Sequence, residues 1–194
     1  MLNDTSSVLS LLQTRRSGKP RELVGPGPSE TELQQMLTIA ARTPDHGNLA
    51  PWRFIVVGDD QRDAFEAILQ QALREDEPDA PAAKVEKEHA FSHYQGALVI
   101  LISAPVQGHK VPVWEQELSC GSAAMNLLLA AHAFGYVPGW VTGWRTYSDV
   151  VRNAFCKSDE QIAGFIFIGH ESRELEDRPR PALNEVVSVW QPPQ

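Results

Sequence analysis

The stretch from Val113 to Phe134 constrains the fold more than any other part of the chain. After Glu117 it carries no charge apart from the titratable His132, and Leu118, Ala123, Ala124, Leu127, Leu128, Leu129, Ala130 and Ala131 surround a helix on every side. A helix without a polar face has to be covered all round, so this one belongs in a core or at a subunit interface. The uncharged run is too short to span a bilayer and contains Ser119, Ser122 and Asn126, which argues against a membrane helix.

A chain of 194 residues, 42% hydrophobic and 22% charged, can wrap one core around such a helix, so a single domain over residues 1–194 is expected. The net charge of −8 argues against nucleic-acid or anionic-membrane partners, which need a broad basic face. No basic segment followed by an apolar one opens the chain, and the protein reads as cytoplasmic. Cys120 and Cys156 lack CxxC spacing and read as buried reduced thiols rather than as a disulfide or zinc ligands.

Val8, Leu9, Leu11 and Leu12 lie at helical spacing, and the pattern ends at Ser17-Gly18-Lys19-Pro20, leaving Arg15–Lys19 as a cationic loop. Ser29 and Glu32 form a capping box that opens a second helix with Leu33, Met36, Leu37, Ala40 and Ala41 inside, ending before Pro44. The runs RFIVVG (53–58) and ALVILIS (97–103) are apolar enough to predict two central strands, with an amphipathic helix from about Gln61 to Leu73 between them. The charged, Pro-containing stretch that follows predicts a mobile loop over residues 74–95. GWVTGW (139–144) and IAGFIFIGH (162–170) add two strand-like segments, separated by a short helix near Val150–Phe155. The sum is an α+β fold.

Several blocks fall into one family pattern. RRSGK (15–19) follows the first helix, ARTPDHGNLAPWRFIVV (41–57) is like A-x-x-P-S-x-x-N-x-Q-P-W-x-F, residues 110–136 are like a long central helix, and GWVTG (139–143) and RPRPALNEVV (178–187) follow in order. With these blocks the sequence resembles the FMN-dependent nitroreductase family, in its YdjA-like branch. Ala50 stands where that pattern has Gln, and Asp45-His46 replaces a small hydroxyl pair, as in that branch. The resemblance implies a mainly antiparallel sheet flanked by helices, with the long central helix buried at a homodimer interface. It also implies FMN as cofactor, NADH or NADPH as donor, and a small acceptor such as a nitroaromatic or quinone. Flavin chemistry on other substrates, such as dehalogenation or flavin breakdown, or a flavin-binding protein without turnover, are the alternatives.

A phosphate dianion calls for guanidinium forks, a hydroxyl and loop amides, which Arg15, Arg16 and Ser17 can supply. By the resemblance, Arg15 and Ser17 hold the FMN phosphate, while Arg16 and Lys19 lie along the ribityl chain and pyrimidine edge. Arg42 and His46 contact the flavin from the partner chain, and Asn48 matches a flavin-contacting Asn. Trp140, Val141 and Thr142 line the flavin, and Arg178 or, preferably, Arg180 reaches the phosphate. Simpler readings stand beside these: a basic turn at a helix end, an Asx-type closure by Asp45 or Asn48, a core Trp, a solvated Arg-Pro tail. No catalytic side chain is expected, since the flavin carries the reaction. His89 and His93 have the i, i+4 spacing of metal ligands but no convincing third ligand in the sequence, so no metal site is expected.

Overall fold

The computed structural model describes residues 1–193. Its elements in order are α1 (Val8–Thr14), β1 (Leu23–Val24), α2 (Glu30–Ala40), β2 (Trp52–Val57), α3 (Arg62–Asp76) and α4 (Ala82–Ser92). They continue with β3 (Ala97–Ser103), α5 (Val113–Ala133), β4 (Val137–Val141), α6 (Asp149–Phe155), β5 (Gln161–Glu171) and α7 (Leu183–Val186). Every strand pairing is antiparallel, in the order β1-β5-β3-β2 with β4 also on β5. This is the α+β sheet with flanking helices that the sequence predicts.

The strands β3 and β5 show why the sheet is two-faced. Leu98, Ile100 and Ile102 of β3 join Phe165 and Phe167 of β5 on one face, while Val99 and Leu101 join Ile166 and Ile168 on the other. The register pairs Ile100 with Phe165 and Val99 with Ile166, so the period of two sends alternate residues into two separate cores. One core lies beneath α3, α4 and α6 and is built on aromatic edges: the Phe91 ring meets those of Phe165 and Phe167 at 5.5 and 5.2 Å between centroids. The other lies beneath α2 and α5, where Ala40, Ala124 and Ala131 let the helices approach closely. Complete burial of each large side chain here stabilises the fold by roughly 1.5–3 kcal/mol.

Local signals place several elements. Ser29 Oγ accepts the Glu32 backbone N–H at 3.3 Å while Glu32 accepts that of Ser29 at 2.8 Å, the reciprocal cap that starts α2. Tyr136 donates its hydroxyl to the same Glu32 carboxylate at 3.0 Å and ties the turn after α5 to that cap.

Three expectations need correction. β2 is an edge strand, not a central one: among the described residues only β3 pairs with it, and its Arg53 reaches sideways to Glu160 at 2.5 Å, a charge that an edge tolerates. Residues 74–95 are not a loop. α3 continues to Asp76 and α4 takes up residues 82–92, because Phe91 and Ser92 are buried against the aromatic core and Glu88 meets a buried arginine. As expected of a helix apolar on every face, α5 is not covered all round by one chain: Ala124 and Leu128 face the core, whereas Trp114 and Leu118 are 61% and 59% exposed. Cys120 is buried, and burial pushes its thiol up to about 11, but Cys156 is only part-buried. No helix among the described residues is long and apolar enough to cross a membrane.

Candidate cofactor cleft

The Arg15–Lys19 loop leaves α1 and lies directly on β4. Gly18 donates its N–H to the Pro138 carbonyl at 3.0 Å, and a Cβ on Gly139 would come within 2.9 Å of the Gly18 carbonyl oxygen. Two glycines are therefore what lets the cationic loop and the Trp140–Thr142 segment share one wall. Trp140 is held in turn: its indole N–H donates to the Ala163 carbonyl at 3.1 Å, and its ring occupies the space a Cβ on Gly164 would need, 2.1 Å from Nε1.

Together these segments form an open cleft of about 770 Å³, a size that takes a cofactor or drug-sized ligand. Arg15, Arg16, Ser17, Lys19, Trp140, Val141, Thr142, Arg178 and Arg180 all line it, and no carboxylate does among the described residues. Eight cations stand at its walls, in a chain whose net charge is −8. Such a cleft concentrates anions.

The cations differ in how far they are already engaged. Arg15 makes only a long contact to Ser17 Oγ, 3.4 Å, and its Nε is buried without a partner, a polar atom in search of an acceptor. Arg16 is spent on structure: its Nε donates to the Glu176 carbonyl at 2.9 Å and its Nη1 to that of Ser17 at 2.5 Å, tying the loop to the tail. Burial first, then the neighbouring Arg178 and Arg180 charges, hold Arg16 below its ordinary value. Lys19 pairs with Glu22 at 3.2 Å, and Arg180 with Asp177 at 3.3 Å. The Arg178 guanidinium has no carboxylate partner among the described residues, although its backbone N–H donates to Asp177 Oδ1 at 2.8 Å. Behind the loop, His132 of α5 is buried with both ring nitrogens unpartnered; burial first and the charge of Arg15 second push it down to about 4.

The sequence reading missed part of the wall. Lys87, Phe91 and Tyr94 come from α4 and the turn after it, and Arg145 from the turn after β4. The Arg145 guanidinium sits 3.7 Å from the Phe91 ring centroid and donates from Nε to the buried Glu88. Glu88 hides in a charge-dense window, and its partner is 57 positions away, so spacing gave no signal.

Arg42, His46 and Asn48 do not line this cleft. Their loop is pinned to α5: Ser119 Oγ donates to the Pro44 carbonyl at 3.0 Å, Asn126 Nδ2 to the Arg42 carbonyl at 3.2 Å, and His46 Nδ1 meets Glu115 at 2.8 Å. Asp45 makes the Asx-type closure, accepting the Ala50 N–H at 2.7 Å. Gly47, Asn48 and Ala50 all have positive φ, at 87°, 53° and 47°. For Ala50 this is a strained conformation that the Asp45 bond maintains.

Comparisons with known proteins agree with this architecture. Escherichia coli (strain K12) YdjA, whose name proposes NAD(P)H nitroreductase activity, is 37% identical over 163 residues, covering 83% of this chain and 86% of that protein. A nitroreductase-like family protein from Bacillus cereus superposes with a TM-score of 0.80 at 18% identity, covering 95% of this chain and 96% of the other. A nitroreductase from Exiguobacterium sibiricum, solved in complex with FMN, gives 0.69 at 18% identity over 96% and 98% of the two chains. The model of the nitroreductase family matches residues 12–170, most of the chain and the whole strand order described above, and the protein belongs to that family.

Proposed function

We propose that this protein is a homodimeric FMN oxidoreductase of one domain that uses NADH or NADPH to reduce a small acceptor such as a nitroaromatic or quinone. The observation that carries the reading is Arg15: a cleft-lining guanidinium with a buried, unpartnered Nε, beside a hydroxyl and among cations with no lining carboxylate. That donor set suits a phosphate dianion, and Trp140 offers an apolar wall for a ring system. Family membership supports the same cofactor.

FMN bound there would supply two-electron chemistry between a nicotinamide donor and a small acceptor. Arg15 and Ser17 would hold its phosphate, with Arg178 and Arg180 lining the same cleft. Lys19 would bring a positive charge that favours a reduced, negatively charged ring. Trp140, Val141 and Thr142 would position the ring system. No protein nucleophile is required.

The dimer reading rests on α5. Trp114 and Leu118 are exposed in one chain, with Met125 and Leu129 half-buried further along the same stripe. Pairing two such stripes isologously would cover them and bring the Arg42–Asn48 loop of one subunit over the cleft of the other. Arg42, His46 and Asn48 would then contact the flavin from the partner side.

The test is anaerobic. The purified protein should be yellow, release FMN rather than FAD on denaturation, bleach with NADH or NADPH, and regain colour when a nitroaromatic or quinone is added. A flavin that stays oxidised with both donors would make the protein a flavin binder without this turnover.

A further inference from the structure

We infer that Glu66, His89 and His93, with Asp63 beside them, form a binding site for a divalent transition metal of the zinc class, bridging α3 and α4. The sequence offers the two histidines one helical turn apart at the end of α4, and the fold supplies the third ligand that spacing could not show. Glu66 projects from α3 between them: its Oε1 lies 2.7 Å from His89 Nδ1 and its Oε2 lies 3.0 Å from His93 Nε2. Asp63, one turn earlier on α3, places Oδ1 3.7 Å from the same His93 nitrogen. The imidazole rings are 5.0 Å apart between centroids, and the donor atoms of Glu66, His89 and His93 all lie within 4.8 Å of one another.

These separations suit a metal. Ligands about 2.0–2.2 Å from a tetrahedral zinc ion stand roughly 3.4 Å from each other, so small side-chain rotations suffice and neither helix has to move. The donor set also selects the ion. Imidazole with carboxylate suits zinc, copper or nickel, whereas magnesium and calcium prefer oxygen ligands alone. The ion would take the place of the contacts that His89 and His93 make with the Glu66 carboxylate. The cluster is distinct from the cofactor cleft, although α4 also carries Lys87 and Phe91 on the cleft wall. A bridging ion would therefore fasten one wall of the cleft to α3.

Calorimetric titration of Zn²⁺ into the EDTA-treated, flavin-loaded full chain tests the site, with Co²⁺ visible absorption above the flavin bands reporting coordination number. The expected result is one ion per chain and the intense Co²⁺ bands of a tetrahedral site. His89→Ala, His93→Ala and Glu66→Gln should each weaken binding by more than the roughly 10–100-fold that losing an outer-shell partner costs. Glu66→Gln keeps the side chain's size, so its loss of binding is not a packing effect. Equal Zn²⁺ affinity in the wild type and the His89→Ala/His93→Ala double variant would overturn the proposal. So would no binding to the wild type, or binding abolished by Cys156→Ser or His109→Ala instead.

Discussion

Two loops of this protein belong to the same family pattern and use their side chains differently. The Arg15–Lys19 loop is held by Gly18 on Pro138 and by Arg16 on the tail, and it leaves the Arg15 guanidinium almost unused. The Thr43–Ala50 loop is fixed by side chains, with Asp45, Ser119, Asn126 and the His46–Glu115 pair all engaged, and it does not line its own cleft. The difference teaches what each loop is for. Unused donors suit a ligand; the braced loop, which does not line its own cleft, suits the proposed contact with a second subunit.

The largest effect should come from separating the two loops' proposed meeting place. Trp114→Glu with Leu118→Glu adds charges to the exposed stripe of α5 without entering either core, so the chain should stay folded, sediment as a monomer and lose FMN. A folded double variant that still dimerises and holds FMN would show that the contact lies elsewhere. Mixing Arg15→Ala chains with His46→Ala chains sharpens the point, because verified heterodimers should regain one intact site. If each parent binds poorly and no heterodimer recovers flavin, the loops do not act across an interface.

A smaller effect concerns the cost of the unused side. His132, buried behind the Arg15 loop, is pushed down to about 4, whereas an unfolded histidine titrates near 6.5. The unfolded chain therefore takes up the proton first. The stability tied to keeping His132 neutral is fully present above about pH 6.5 and is lost as pH falls toward about 4, by up to roughly 3 kcal/mol. His132→Leu should flatten that part of the pH dependence in urea midpoints measured from pH 7.5 to 4.5; an unchanged slope would place the acid sensitivity in other groups.

The smallest effect belongs to the braced loop. Asp45→Ala leaves the Ala50 N–H without its acceptor and should cost about 1 kcal/mol of stability. Thermal melts check this. A neutral result would mean that the positive-φ turn is held by its contacts to α5 alone.

Much of this was legible in the sequence, for definite reasons. The Ser29–Glu32 cap, the runs that became β3 and β5, and the cationic loop are local signals, each written in a few adjacent residues. The wall made by Lys87, Phe91 and Arg145 was not legible, because it depends on a buried Glu88–Arg145 pair that joins distant segments inside a window resembling solvated charge. For the same reason His89 and His93 looked unpartnered: Glu66 reaches them only once α3 and α4 fold together. β2 read as central because an apolar run looks alike at an edge and in the middle of a sheet, and only pairing distinguishes the two.

The central claim is that Arg15 reads a phosphate. Titrating the apoprotein with FMN and with riboflavin, which lacks the phosphate, and repeating both with Arg15→Ala isolates that contact by flavin fluorescence. Arg15→Ala should weaken FMN by roughly 10- to 150-fold, the equivalent of about 1.5–3 kcal/mol for a hydrogen bond to a charged group, and leave riboflavin unchanged. An equal loss for both ligands, or no loss for FMN in a folded variant, would contradict the account and return Arg15 to an ordinary basic turn at the end of α1.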